Sequence, residues 1–203
     1  MTELTPAAVS RARVLTVPNL LTLLRLLMVP FFVNASIRGL FTMAFILFVT
    51  AALTDVIDGT VARLFNQRSR LGAMLDPAAD KAMMICGFVV YTFHPGVAHR
   101  LPEWLSLVVF ARDGLIILFA CLLYTRIRIT RFPPSYAGKI STLVQAVTLA
   151  CVIAVNSFLP GLSKVAEALF LVALVATLGS GLDYLRRTAV MLEAGGPGSS
   201  VTG

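Results

Sequence analysis

Charged residues are scarce in this chain, and their scarcity excludes most soluble folds. Only 13% of the 203 residues are charged, whereas 58% are hydrophobic, and the mean hydropathy is +0.87. A soluble domain has about 25% charged and about 45–50% apolar residues, so one soluble core would not bury this much apolar surface. The composition predicts an all-α integral membrane protein, because helices satisfy their own backbone hydrogen bonds in lipid.

Cysteine and histidine are too few and too scattered to suggest a redox or zinc site. The three cysteines stand singly in apolar runs, and neither they nor the two histidines have the spacing of a metal site. The net charge of +7 would suggest nucleic acid in a soluble protein. Here the basic residues are dispersed between apolar runs, which favours contacts with anionic membrane lipids and argues against nucleic acid.

Six apolar segments are long enough to cross a bilayer, which takes about 20 helical residues. They are Leu20–Ile37, Leu40–Leu64, Ala78–Phe93, Trp104–Tyr124, Ile140–Leu159 and Val165–Leu185. We divide the chain into an amino-terminal segment (1–16), a membrane domain (17–187) and a Gly/Ser-rich tail (188–203) that we expect to be disordered. Residues 14–19, with Pro and Asn, are expected to lie along the membrane interface before the first span.

The positions of Lys and Arg predict the orientation of these spans. Eleven fall on the side that holds both termini and the loop after the second segment, and only three, Arg38, Arg100 and Lys164, fall on the other. Cytoplasmic loops carry the excess of Lys and Arg. Both termini and the loop after the second span are therefore expected to face the cytoplasm, in a protein of the bacterial inner membrane.

Acidic residues number only ten, and four of them lie close together in the chain, at Asp55, Asp58, Asp76 and Asp80. An ionisable residue at membrane depth is costly and is a functional candidate by default. Asp55 and Asp58 are three apart, and Asp76 and Asp80 are four apart, so each pair shares a helix face. Asp76 with Pro77 could instead be the N-cap and first residue of a helix. Either arrangement lets the two pairs converge between antiparallel helices.

Four carboxylates in one cleft of low dielectric repel each other strongly, so they need a cation. Ligands that are all oxygen favour Mg²⁺ or Mn²⁺, and two carboxylate pairs suit two ions, a layout used in phosphoryl chemistry. Gly59 and Ala62 continue the face of Asp55 and Asp58, where small residues would let a large ligand approach the backbone. Arg63 could contact phosphate at the same cleft.

These residues resemble the signature of the CDP-alcohol phosphatidyltransferase family. The signature reads Asp55-x2-Asp58-Gly59-x2-Ala62-Arg63-x8-Gly72-x3-Asp76-x3-Asp80, and all eight positions match in type and spacing. The stretch PNLLTLLR at 18–25 is similar to the family's amino-terminal segment, and GKISTLVQ at 138–145 is similar to the stretch that carries its acceptor-site lysine. The similarity covers most of the chain, about residues 17–187.

The resemblance implies a six-span helical homodimer that transfers a phosphatidyl group from CDP-diacylglycerol to a hydroxyl acceptor and releases CMP. It implies that Asp55, Asp58 and Asp76 hold metal that bridges the CDP pyrophosphate. Asp80 would contact the metal and act as the base. The remaining signature residues would line or adjoin the CDP pocket beside Asp58: Gly59, Ala62, Arg63 and Gly72.

Two features bear on the acceptor, and they resemble different subfamilies. Lys139, in its GKxxTxxQ context, and Arg112 are candidate contacts for an acceptor phosphate. That context and the PNLLTLLR segment look most like the phosphatidylglycerophosphate synthases, which use glycerol-3-phosphate. Those enzymes usually have Arg-Glu where this chain has Arg112-Asp113, and an Arg-Asp pair is similar to the cardiolipin synthases, which use phosphatidylglycerol. We expect glycerol-3-phosphate and keep phosphatidylglycerol as the alternative.

A small membrane transporter is the alternative from a different class, since ionisable residues inside spans also mark ion pathways. A transporter would spread its acids through the midplane or interrupt helices in two matching halves. In this chain the acids cluster at one membrane face, within one half of the sequence. That clustering favours the enzyme.

Overall fold

The computed structural model describes residues 17–65, 70–127 and 136–194, and the side chains of residues 23–54, 81–119 and 136–189. These residues form helices and short connections, with no strand among them. The helices are α1 (Val17–Ile37), α2 (Phe41–Phe65), α3 (Arg70–Phe93), α4 (Glu103–Ile127), α5 (Tyr136–Ser157) and α6 (Ser163–Ala194), with a 3-10 turn at Pro160–Leu162. The all-α prediction is confirmed for the described residues, and each predicted segment has its helix.

Several helix boundaries differ from the sequence prediction, among them the end of α4, which is Ile127 and not Tyr124, and the start of α5, which is Tyr136 and not Ile140. α3 begins at Arg70, and not near Ala78, because the RLGAML stretch holds good helix formers although it starts with a charge. Asp76 and Pro77 therefore lie inside α3, and the alternative that makes them an N-cap and first residue is wrong. α1 already begins at Val17, and α6 continues past the predicted start of the tail at 188 to Ala194.

The six helices pack as a ring in the order α1, α2, α5, α6, α4, α3. α1 lies between α2 and α3, and α5 lies between α2 and α6. α4 packs mainly against α6 and only lightly against α3, and α3 also touches α5 across the ring. Among the described residues, the contact between α3 and α4 is therefore the weakest of the neighbour contacts that close the ring.

Three connections come together at one end of the ring, which we call the His99 end. They are residues 38–40, 94–102 and 158–162. Asn156 of α5 holds the middle connection, because its Oδ1 accepts from His99 N at 2.9 Å and its Nδ2 donates to His99 O at 2.8 Å. Thr42 of α2 and Ser157 of α5 share a hydrogen bond of 2.6 Å. The opposite end, where α2 finishes and α3 begins, is the aspartate end.

The turn from α1 to α2 depends on a glycine. Gly39 has a φ of +74°, a conformation that side chains with a Cβ rarely adopt. Leu40 N donates to Ala35 O at 2.9 Å and Gly39 N donates to Ser36 O at 3.2 Å, which together form a Schellman cap. The cap satisfies the last carbonyls of α1 and reverses the chain into α2.

The outer surface of the ring is apolar. Large apolar side chains are exposed on all six helices, and Leu107 and Val175 are each 70% exposed. Leaving such a side chain in water forgoes about 1.5–3 kcal/mol of burial, so this surface suits lipid. Tyr136–Ser157 and Pro160–Ala189 are long and apolar enough to cross a bilayer. These are the features of an integral membrane protein.

Candidate active site

The four aspartates lie on consecutive helices at matching depths. Asp55 lies ten residues before the end of α2 at Phe65, and Asp80 lies ten residues after the start of α3 at Arg70. Asp58 and Asp76 lie seven and six residues from the same two helix ends. At a rise of about 1.5 Å per residue, these positions are about 15 Å and about 10 Å from the helix ends. Asp55 of α2 and Asp80 of α3 therefore lie at one level, and Asp58 and Asp76 lie at a second level nearer the helix ends.

The side chains of the signature residues lie outside the described side chains, so the roles of these residues stay predictions. This applies to Asp55, Asp58, Gly59, Ala62, Arg63, Gly72, Asp76 and Asp80. Their backbone places Gly59, Ala62 and Arg63 on the last turns of α2 and Gly72 in the first turn of α3. Asp55 and Asp58 lie within α2, and Asp76 and Asp80 lie within α3. The helical backbone is therefore the one on which their spacing predicts a shared face for each pair.

A buried cation lies on the helix that packs against both aspartate-bearing helices. Arg25 of α1 is 2% exposed and is the largest fully buried side chain among those described. It lies eight residues after the start of α1, or about 12 Å along the axis, which is about the depth of the aspartates. A buried guanidinium needs partners, since an unpaired buried charge is very costly. The sequence signal for Arg25 was a cation inside an apolar span.

A second charged group joins three helices near the same level. Lys81 Nζ of α3 contacts Asp113 Oδ2 of α4. Arg112 Nη1 donates to Asp113 Oδ1 at 2.9 Å, and Arg112 Nη2 donates to Ser180 Oγ of α6. Lys81 lies inside the predicted segment Ala78–Phe93 and Asp113 inside Trp104–Tyr124, but the sequence alone does not pair them. We call these four residues the Asp113 cluster.

Arg112, predicted to contact an acceptor phosphate, is largely buried and already bonded within the protein. Its side chain is 11% exposed, and its terminal nitrogens bond to Asp113 and Ser180. No described residue accepts a hydrogen bond from its Nε. Its role toward the acceptor stays a prediction, and its observed contacts are those of a residue that joins α4 to α6.

Lys139, the other predicted acceptor contact, has different surroundings. It is exposed in the first turn of α5, at the aspartate end, and its Nζ lies 5.8 Å from the centroid of the Tyr136 ring. An ammonium over an aromatic face is held by the ring quadrupole without losing its charge. An exposed cation of this kind can reach a soluble anion, which Arg112 can do less readily. The phosphate contact of Lys139 also stays a prediction.

A neutral polar cluster lies beside the Asp113 cluster, between α5 and α6. Gln145 Nε2 donates to Thr177 Oγ1 at 2.9 Å and to Ser141 Oγ at 3.2 Å, and all three residues are buried. Ser141 and Gln145 belong to the GKISTLVQ stretch of the sequence. Their contacts hold the start of α5, and with it Lys139, against α6.

Known proteins resemble the chain over most of its length. The family model for CDP-alcohol phosphatidyltransferase matches residues 15–179. A Mycobacterium tuberculosis protein provisionally named a cardiolipin synthase is 39% identical over 134 residues, which are 64% of this chain and only 60% of that relative. A second protein from that organism, provisionally named a phosphatidylglycerophosphate synthase, is 32% identical over 87% of this chain and 83% of its own length.

A third relative comes from Shigella flexneri and is named CDP-diacylglycerol–glycerol-3-phosphate 3-phosphatidyltransferase. It is 34% identical over 177 residues, which are 83% of this chain and 92% of the relative. The family match spans the whole signature from Asp55 to Asp80, and it also includes Arg112 and Lys139. The aspartates at two matching depths and the match over residues 15–179 lead to one conclusion: the chain belongs to the CDP-alcohol phosphatidyltransferase family.

Proposed function

We propose that this protein transfers the phosphatidyl group of CDP-diacylglycerol to the hydroxyl of glycerol-3-phosphate and releases CMP. The observation that carries the proposal is the alignment with the Shigella flexneri protein named for that reaction, which covers 83% of this chain and 92% of the relative. The complete signature and the matching depths of the four aspartates support it. The exposed Lys139 at the aspartate end suits an acceptor that carries a phosphate.

In the proposed reaction the acceptor oxygen bonds to the β-phosphorus of CDP-diacylglycerol, and the bond from that phosphorus to the CMP oxygen breaks. CMP leaves with the electron pair, and Asp80 accepts the proton of the acceptor hydroxyl. A positioned carboxylate base contributes on the order of 10²–10⁴ in rate. We assign the contact with the acceptor phosphate to Lys139, with Arg112 as a second candidate.

The donor set at the aspartate end fits a hard divalent cation, because it consists of carboxylates. Asp55, Asp58, Asp76 and Asp80 would hold Mg²⁺ or Mn²⁺, most simply two ions, which when bound would neutralise charge on the pyrophosphate. The other signature residues, which are Gly59, Ala62, Arg63 and Gly72, would line the CDP pocket. The small residues Gly59 and Ala62 would let the nucleotide approach α2 closely.

A second acceptor, phosphatidylglycerol, is favoured by two observations. The chain has Asp113 beside Arg112, which resembles the cardiolipin synthases, and a relative provisionally given that name is 39% identical over 64% of this chain. That alignment covers 60% of the relative, whereas the two alignments with relatives named for glycerol-3-phosphate or phosphatidylglycerophosphate chemistry cover 83% and 92% of theirs. Because the alignments with these two relatives cover more of the relatives' length, glycerol-3-phosphate is the acceptor that we propose first.

The proposed enzyme crosses the bacterial inner membrane six times, with its aspartate end and both termini in the cytoplasm, and forms a homodimer. The uneven distribution of Lys and Arg supports this orientation. The exposed apolar side chains on all six helices support six spans, since each helix then meets lipid. CMP and glycerol-3-phosphate are soluble, so the cleft needs access to water as well as to lipid.

The test is to incubate the purified full chain with CDP-diacylglycerol, Mg²⁺ and one acceptor at a time, and to identify the lipid product by mass spectrometry. Glycerol-3-phosphate should give phosphatidylglycerophosphate and equimolar CMP. Cardiolipin formed from phosphatidylglycerol, with no reaction of glycerol-3-phosphate, would establish the second acceptor. If CMP is released neither with glycerol-3-phosphate nor with phosphatidylglycerol, both proposals are overturned.

A further inference from the structure

Two polar links join the described parts of α3 and α4, which share the lightest contact of the ring neighbours there. One is charged: Lys81 Nζ contacts Asp113 Oδ2. The other is neutral and buried: Thr92 Oγ1 and Ser106 Oγ share a hydrogen bond of 2.6 Å. The charged link follows directly after Asp80 in the chain, whereas the neutral link lies toward the His99 end, eleven residues further along α3. The two links therefore hold different parts of the same helix.

Asp113 occupies the centre of the charged link. Its side chain is 12% exposed, and its two oxygens meet two different cations, Lys81 of α3 and Arg112 of α4. Arg112 in turn bonds to Ser180 of α6, so a single carboxylate ties three helices together. A carboxylate at membrane depth is tolerated only when it is paired, so this arrangement strongly disfavours a shift of α3 relative to α4.

The described apolar contact between α3 and α4 lies further from Asp80, where the Phe88 and Phe110 rings meet with their centroids 6.3 Å apart. A cavity of about 190 Å³ separates α3, α4 and α5, and Lys81 and Asp113 form part of its wall with Thr142 and Gln145. Side chains beside a cavity lack the close contacts that otherwise keep two helices in register. Among the described contacts between α3 and α4, the ion pair between Lys81 and Asp113 is the one next to Asp80.

We propose that Lys81 and Asp113 are positioning residues for phosphatidyl transfer, which hold the segment of α3 that carries Asp80. The inference rests on the proposed function. Adjacent helical residues are about 1.5 Å apart along the axis, so the backbone of Asp80 moves with that of Lys81. A misplacement of about 1 Å can cost on the order of 10²-fold in rate. Neither Lys81 nor Asp113 needs to touch either substrate in this role.

The test compares the purified full chain with Lys81→Met and with Asp113→Glu, using CDP-diacylglycerol and the acceptor found to react. Lys81→Met should lower kcat about 10-fold to 100-fold, with much smaller changes in both KM values, because the proposed base Asp80 is displaced from the acceptor hydroxyl. Asp113→Glu keeps both charges but lengthens the link by one methylene, and should lower kcat by a smaller factor. If Lys81→Met does not fold, Asp113→Glu alone decides the question.

Thr92→Val is the matched control, because it removes the neutral link between the same two helices. Thr92 lies about 16 Å along α3 from Lys81, so its loss should lower the melting temperature without changing kcat. A kcat as low in Thr92→Val as in Lys81→Met would mean that any loosening of α3 has this effect, and would overturn the specific role.

Two other outcomes would also overturn the inference. An increased KM for one substrate with an unchanged kcat would make Lys81 or Asp113 a binding residue and not a positioning residue. An unchanged kcat in both variants of an active protein would remove the role altogether. A wild-type protein that forms no product with either acceptor would instead overturn the proposed function, so the two failures are distinguishable.

Discussion

The two ends of the helical ring are stabilised by different chemistry. At the His99 end no ion pair occurs among the described residues: Asn156 brackets the backbone of His99, the Phe45 and Phe158 rings meet edge to face at 5.1 Å, and the cations Arg38 and Arg100 donate to neutral oxygens. Toward the aspartate end the contacts between helices include charged ones, with the Asp113 cluster and the buried Arg25 near the depth of the four aspartates.

The difference indicates which end is built for stability and which for chemistry. At the His99 end Asn156 satisfies the loop backbone, and Arg100 donates to backbone carbonyls of the same loop, so the described contacts there serve the loop itself. Buried charges in lipid cost free energy unless they are paired, so they are kept where a reaction needs them. Changes at the aspartate end should therefore affect kcat or KM, and changes at the His99 end should affect melting temperature.

The largest effect is expected for Asp80→Asn. The amide cannot accept the proton of the acceptor hydroxyl, so CMP release should fall by on the order of 10²–10⁴-fold in the detergent-purified protein. The helices should remain intact, which size-exclusion chromatography and circular dichroism would check.

Asp183→Asn is the matched control, because it makes the same substitution on α6, where Asp183 pairs with Arg187. It should retain most of the activity. A fully active Asp80→Asn protein would remove Asp80 from the proposed mechanism.

A smaller effect is expected for Lys139→Ala. Loss of one charge-assisted contact with the acceptor phosphate should raise the KM for glycerol-3-phosphate about tenfold, which corresponds to about 1.4 kcal/mol. The KM for CDP-diacylglycerol should stay nearly constant. Both are measured from initial rates of CMP release.

Lys164→Ala is the control at the His99 end, where an exposed lysine has no proposed substrate contact. Its kinetic constants should match those of the wild type. Equal changes in both KM values for Lys139→Ala would count against an acceptor-specific role.

The comparison predicts the opposite pattern for Asn156→Leu. This change leaves His99 N–H and C=O without their side-chain partner, which should cost about 1–3 kcal/mol of stability. For a chain of this size, that corresponds to a fall of roughly 2–4 °C in melting temperature per kcal/mol. The kcat at 25 °C should be unchanged.

Asn34→Ala is the matched control, since Asn34 Oδ1 accepts only an exposed bond from Arg38 Nε at 3.0 Å among the described contacts. Its melting temperature should shift much less. A loss of kcat in Asn156→Leu equal to that in Lys139→Ala would contradict the division between the two ends.

The sequence predicted helix positions well because crossing lipid demands about 20 consecutive apolar residues. It placed the start of α3 too late, since RLGAML continues the helix through a stretch that is not uniformly apolar. The aspartate pairs were recognisable because their spacing of three and four has a direct meaning on a helix.

The neighbours of each helix were not predictable in the same way. Periodicity identifies a buried face but does not state which helix covers it, so Lys81 and Asp113 could not be paired by spacing. Arg112 was predicted to meet a phosphate, and its bond to Ser180 becomes visible only when α4 is known to pack against α6. The ring order is a property of the folded protein.

The smallest effect is expected for Arg187→Ala, which tests whether every charge toward the aspartate end matters. Arg187 Nε bonds to Asp183 at 3.0 Å within one turn of α6, and its side chain is 45% exposed. An exposed pair of this kind contributes about 0.3–0.5 kcal/mol, so the melting temperature should shift by no more than about 2 °C and both KM values should be unchanged. A tenfold loss of kcat/KM would mean that exposed cations also bind substrate. The two ends would then differ in charge alone, and the burial of Asp113 and Arg25, which Arg187 lacks, would not matter for the reaction.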